Sequence, residues 1–84
     1  MQVYLLTIES QDDVSNFIYK SKESALECVR GDLKDRNHFD TEEPYLTQEE
    51  LQKRQEEAVK ALDGLGTWED DDVTYWLDQK DVLD

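Results

Sequence analysis

One cysteine, one proline, one histidine and three glycines are spread over 84 residues, and each scarcity removes a class of answer. A lone Cys28 closes no internal disulfide, which fits a reducing cytoplasm. His38 and Cys28 are the only soft metal ligands, whereas a structural zinc site takes four; His38, beside Phe39, reads as an ordinary loop residue. The few glycines build no phosphate-cradling loop, and there is no Gly-x-Ser-x-Gly elbow and no Cys–His–Asn spacing. No run of about 18 apolar residues is long enough to span a membrane. The opening MQVYLLTIES lacks the basic region and small-residue cleavage site of a signal peptide.

Bases are scarce as well. Nine Lys and Arg stand against 22 Asp and Glu, for a net charge of −13. The imbalance is uneven: residues 1–38 carry −2 and residues 39–84 carry −11. Such a surface repels DNA, RNA and anionic lipid and attracts basic partners at long range.

What is present is enough for one modest core, so residues 1–84 are read as a single domain. VYLLTI at 3–8 is β-branched and aromatic. Tyr4, Leu6 and Ile8 fall on one face and Val3 and Leu5 on the other, a pattern that suits a central strand. Ser10 to Asp13 signals a turn and Val14 to Lys20 a second strand, giving a hairpin over 2–20. Helical spacing of Ala25 or Leu26, Val29 and Leu33 predicts a helix over 22–36, capped by Ser21 or by a Ser24–Glu27 capping box. Gly31 weakens that helix by up to about 1 kcal/mol.

After a polar loop over Asn37 to Leu46, Thr47-Gln-Glu-Glu50 is a cleaner capping box, opening a helix over 48–63 that Gly64 and Gly66 end. Its apolar stripe, Leu51, Ala58 and Leu62, is narrow and predicts only partial cover. Val73, Tyr75 and Leu77 alternate with Thr74, Trp76 and Asp78 in a last strand over 72–79. The expected fold is α+β, in the order ββααβ: a three-stranded antiparallel sheet with two helices on one face.

Between the second helix and that strand lies WEDDDVTYW, residues 68–76. Four consecutive carboxylates, Glu69 to Asp72, invite a calcium reading. An EF-hand loop, however, needs a mid-loop glycine and a bidentate Glu at its twelfth position. Neither is here, and a loop counted from Asp40 meets Pro44 at the fifth position and Leu51 at the twelfth. No metal or other cofactor is therefore called for. Carboxylate pairs carry no catalytic information in a chain with this many acids, and Cys28 beside Glu27 lacks the electropositive setting of a reactive thiol. The expectation is a protein that is not an enzyme.

Recognition remains. Tyr45, Trp68 and Trp76 lie in or beside the acidic half and are the candidate apolar anchors, since aromatics are over-represented in binding hot spots. At least one of Tyr75 and Trp76 must face the core. The candidate acidic face comprises Glu42, Glu43, Glu49, Glu50, Glu56, Glu57, Asp63, Glu69, Asp70, Asp71 and Asp72.

The segments VYLLTIES and FIYKSKESALECV resemble a broad class of short phage and prophage proteins. In these a Met-x-Val-Tyr strand and its hairpin partner precede a Ser-Lys-Glu helix start and a terminal strand. The resemblance covers residues 1–36 and, more loosely, 72–79, and the acidic helix inserted between them is a departure. It implies a phage or mobile-element origin, hence a host-cell cytoplasm, and no activity to carry over. In that setting the acidity suggests docking on a basic surface of a partner protein. A sharper form is imitation of DNA phosphate to block a host nucleic-acid enzyme, with carboxylates occupying a Lys/Arg channel. The competing expectation is a general interaction or regulatory module, or a homodimer, contacting through the Leu51 stripe or a sheet edge. There acidity serves solubility alone.

Overall fold

VYLLTI does form a central strand. In the computed structural model, which describes residues 1–11, 13–37, 46–70 and 72–82, Gln2–Ser10 (β1) has a strand on either side. Asp13–Tyr19 (β2) returns antiparallel along one edge. Val73–Asp81 (β4) pairs antiparallel along the other, Leu6 opposite Leu77 and Ile8 opposite Tyr75. A fourth strand, Thr67–Glu69 (β3), completes the order β2-β1-β4-β3. The sequence reading placed three strands in the order ββααβ; the observed order is ββααββ. At three residues β3 is too short to show an alternation.

A single glycine makes β3 possible. Gly66 has φ of +79° and donates to the last carbonyls of the preceding helix. Its own carbonyl accepts from the Leu77 amide at 2.8 Å, and a Cβ there would lie 3.2 Å from the Leu77 carbonyl oxygen. Left-handed φ and close backbone approach both favour glycine, and together they turn the chain from helix onto β4.

Lys22–Asn37 (α1) covers β1 and β2, while Gln48–Gly64 (α2) covers β3 and β4. Ser21 caps α1, its hydroxyl accepting from the Ser24 amide at 3.2 Å. Ser24 lies inside α1, so the alternative Ser24–Glu27 box does not form, and Glu27 pairs with Arg30 at 2.8 Å. At α2 the Thr47–Glu50 capping box is present in both directions. Asn37, the one buried polar residue among those described, donates to the Leu46 carbonyl and accepts from the Leu46 amide at 2.8 Å. That bridge sets the start of α2 beside the end of α1.

The core lies between the sheet and this helix layer. Leu6, Ile8, Val73, Tyr75 and Leu77 rise from the sheet to meet Ala25, Leu26, Val29 and Leu33 of α1 and Ala58 and Leu62 of α2. The α2 stripe was expected to be half covered and a candidate contact. Instead Ala58 and Leu62 are buried and Leu51 packs against the core, because α2 has only the sheet and α1 on which to place its apolar side. No helix among the described residues is long and apolar enough to cross a membrane.

Candidate functional site

Strand register decides which carboxylates meet. Ser10 is paired with Asp13 across the first hairpin and with Val73 on the other side. Both hairpin turns, after β1 and before β4, therefore project from the same end of the sheet. At that end Glu9 and Glu69 flank Thr74 on one face of the sheet, Asp13 lies at the β2 edge on the helix side, and Asp72 stands in the second turn, all four of them exposed. The Asn37–Leu46 bridge and an Arg54–Asp70 ion pair place the N-terminal half of α2, with Glu49 and Glu50, toward that end as well. A shallow groove there is lined by Asp13 together with Asp32, Asp35 and Arg36 of α1. Glu9 and Asp13 were not among the sequence candidates. Their signal was their place at the tip of the hairpin, which matters only once the second tip is known to lie alongside.

The remaining candidates separate. Asp70 is turned inward, its side chain 11% exposed. It accepts from the Arg54 guanidinium with one oxygen and from the Asp72 amide, at 2.7 Å, with the other. Asp70 is thus a turn anchor and is not presented to a partner. Glu50 is engaged in the capping box. Asp63 pairs with Lys22 at 3.0 Å at the opposite end of the helix layer. Glu56 and Asp63 line a groove of mixed charge with Lys22, Arg30 and Lys60. Glu49 and Glu57 are exposed on α2, where Lys53, Arg54 and Lys60 are interspersed among the acids. Glu42, Glu43, Tyr45 and Asp71 lie outside the described residues, as do His38, Phe39 and Pro44.

The two tryptophans part company. Trp68 stacks on Tyr75 with ring centroids 5.9 Å apart and packs against the core, so it is not a free anchor. Trp76 points to the other face of the sheet, where it is 38% exposed. Val3 and Leu5 share that face, and Ile18, opposite Leu5, is 71% exposed. The presence of Val3 and Leu5 on the second face marks β1 as a central strand, which it is. Both helices lie on one side, as expected, and among the described residues no element covers the other.

Beneath the helices, the Tyr75 hydroxyl donates to Asp32 at 2.5 Å and the Arg36 Nε donates to the same oxygen at 2.7 Å. Burial, reinforced by the hydrogen bond to Asp32, pushes the Tyr75 phenol well above its ordinary range. Burial works against the Arg36 charge, but the hydrogen bond and attraction to Asp32 prevail and raise it. The neighbouring Cys28 thiol and partial desolvation push the Tyr19 hydroxyl up to about 12. These shifts hold protons in place, the reverse of what a nucleophile or general base requires.

They also set an alkaline limit. Above pH 10 the unfolded chain releases its tyrosine protons before the folded chain does, so folding stability is lost as pH rises. Urea titrations are expected to show constant stability up to about pH 9.5. Above pH 10 the contribution of the buried Tyr75 to the decline should approach about 1.4 kcal/mol per pH unit, and Tyr75→Phe should make the decline shallower. A wild-type decline as shallow as that of the variant would contradict this assignment.

Compared with protein-family models, with curated proteins and with solved structures, the chain matches none.

Proposed function

We propose that this protein is a non-enzymatic acidic binding module, of phage or mobile-element origin and acting in the host-cell cytoplasm, that docks on a basic surface of a partner protein. The observation that carries this reading is the acidic end of the sheet, where Glu9 and Glu69 flank Thr74 on one face and Asp13 and Asp72 stand at the two turns. Charges so gathered steer a basic partner and fix its orientation more than they add raw affinity. They also repel nucleic acid and anionic membranes. The sharper form is inhibition of a host nucleic-acid enzyme by occupation of its phosphate channel.

The test is a pull-down from host lysate with the immobilised protein, eluted by a salt gradient and then by duplex DNA. A basic protein released early in salt is expected. Its capture should fall on the order of tenfold for the combined variant Asp13→Asn, Glu69→Gln, Asp72→Asn. Displacement by DNA would support mimicry. Capture unaffected by neutralisation would reject the acidic reading in favour of the general interaction module, for which the uncovered sheet face is the available apolar surface.

A further inference from the structure

We propose that the uncovered face of the sheet is where a basic, amphipathic peptide segment of the partner docks, with an Arg or Lys side chain over Trp76 and apolar side chains on Leu5 and Ile18. The proposal rests on the docking reading above and gives it a location. On this face Trp76 is paired across the strands with Thr7 on one side and Thr67 on the other. The next positions outward are acidic. Glu9 and Glu69 flank Thr74, two residues before Trp76, and Asp78 follows two residues after it. Three carboxylates therefore surround an exposed indole, at the diagonal separation of about 7–8 Å that long side chains reach. The base on this face, Lys80, lies farther away opposite Val3. A cation above an indole is attracted by its ring quadrupole, and carboxylates around the ring reinforce that attraction.

The apolar part of the surface continues from the tryptophan. Leu5 is paired with Asp78 and so stands diagonal to Trp76, and Ile18 lies opposite Leu5 on β2. Ile18, Leu5 and Trp76 thus run obliquely over three strands, with acids toward the Trp76 end. The complementary ligand carries its positive charge at one end and apolar side chains at the other. A second copy of this chain is a poor occupant, because it would bring its own Glu9, Glu69 and Asp78 against these on a molecule of net charge −13. Nucleic acid and anionic lipid meet the same repulsion.

The experiment is selection of a random peptide display library on the immobilised full-length protein. Affinities of synthetic versions of the selected peptides are then measured for the wild type, Trp76→Ala, Ile18→Ser and the turn-end variant Asp13→Asn, Asp72→Asn. Because Trp76 and Ile18 are surface residues, circular dichroism should show both single variants folded, and Ile18→Ser tests the face if Trp76→Ala does not fold. The expected result is enrichment of Arg or Lys flanked by apolar residues, with affinity reduced about tenfold or more by Trp76→Ala and by Ile18→Ser. If basic peptides bind these two variants as tightly as wild type and are lost on the turn-end variant, the sheet-face proposal is overturned while the docking reading stands. Peptides without basic residues overturn both. A concentration-dependent dimer abolished by Ile18→Ser would assign the face to a second copy and overturn the proposal.

Discussion

Tyr75→Ala is expected to remove about 3–5 kcal/mol of folding stability, the range for deleting a large buried aromatic. A domain of this length holds only about 4–13 kcal/mol in total, so the variant should be largely unfolded or melt close to ambient temperature. Three losses coincide. The ring is fully buried at the centre of the sheet, and its removal opens a cavity among Ile8, Leu33 and the other core residues. Trp68 loses the partner on which it stacks. Asp32 loses its phenolic donor and keeps only Arg36. Tyr75→Phe separates these effects by retaining the ring and the stack, at an expected cost of about 1–2 kcal/mol. Urea titrations followed by far- and near-ultraviolet circular dichroism give both values. An alanine variant within about 1 kcal/mol of wild type would mean that the core is not organised around this residue.

The second large effect separates two neighbours in the acidic run. Asp70→Ala should cost about 2–3 kcal/mol, because it strips Arg54 of its charged partner and the second hairpin turn of its anchor. Asp72→Ala should stay within about 0.5 kcal/mol, as is usual for an exposed surface position. For binding the order reverses: Asp72 is presented at the shared sheet end, whereas Asp70 is occupied by Arg54 and the Asp72 amide. Thermal melts of the two variants decide the first point, and equal destabilisation would mean that the ion pair does not hold the turn.

Periodicity made most of the fold legible. The β-branched and aromatic run of β1, the alternation of β4 and the Thr47-x-x-Glu50 capping box are properties of short windows, and the structure reproduces them. Two features, a fourth strand and the facing of one aromatic, lay beyond such windows. β3 depends on Gly66 approaching the backbone of β4 across the fold, and its three residues carry no pattern of their own. The exposure of Trp76 was also hidden, because the alternation of Tyr75 and Trp76 shows that one of them faces the core but not which. For the candidate site, a string of carboxylates shows only charge. Separating Asp70 from Asp72 requires knowing that Arg54 stands opposite one of them, and adding Glu9 and Asp13 requires the register that aligns two turns far apart in sequence. The place of Trp68 followed from that same register, which sets it opposite Tyr75 on the helix side of the sheet.

The pairing of β1 with β4 joins residues 2–10 to residues 73–81, and this governs how the chain acquires its structure. The first hairpin and α1 can assemble as they emerge from the ribosome, but the middle of the sheet waits for a strand made much later. Contacts so distant along the chain place folding toward the slower range for small domains. Until β4 arrives, Leu6 and Ile8 lack their central neighbours, in the part of the chain whose net charge is only −2. The nascent protein is therefore most prone to stick while half made, before residues 39–84 add the −11 that keeps copies apart.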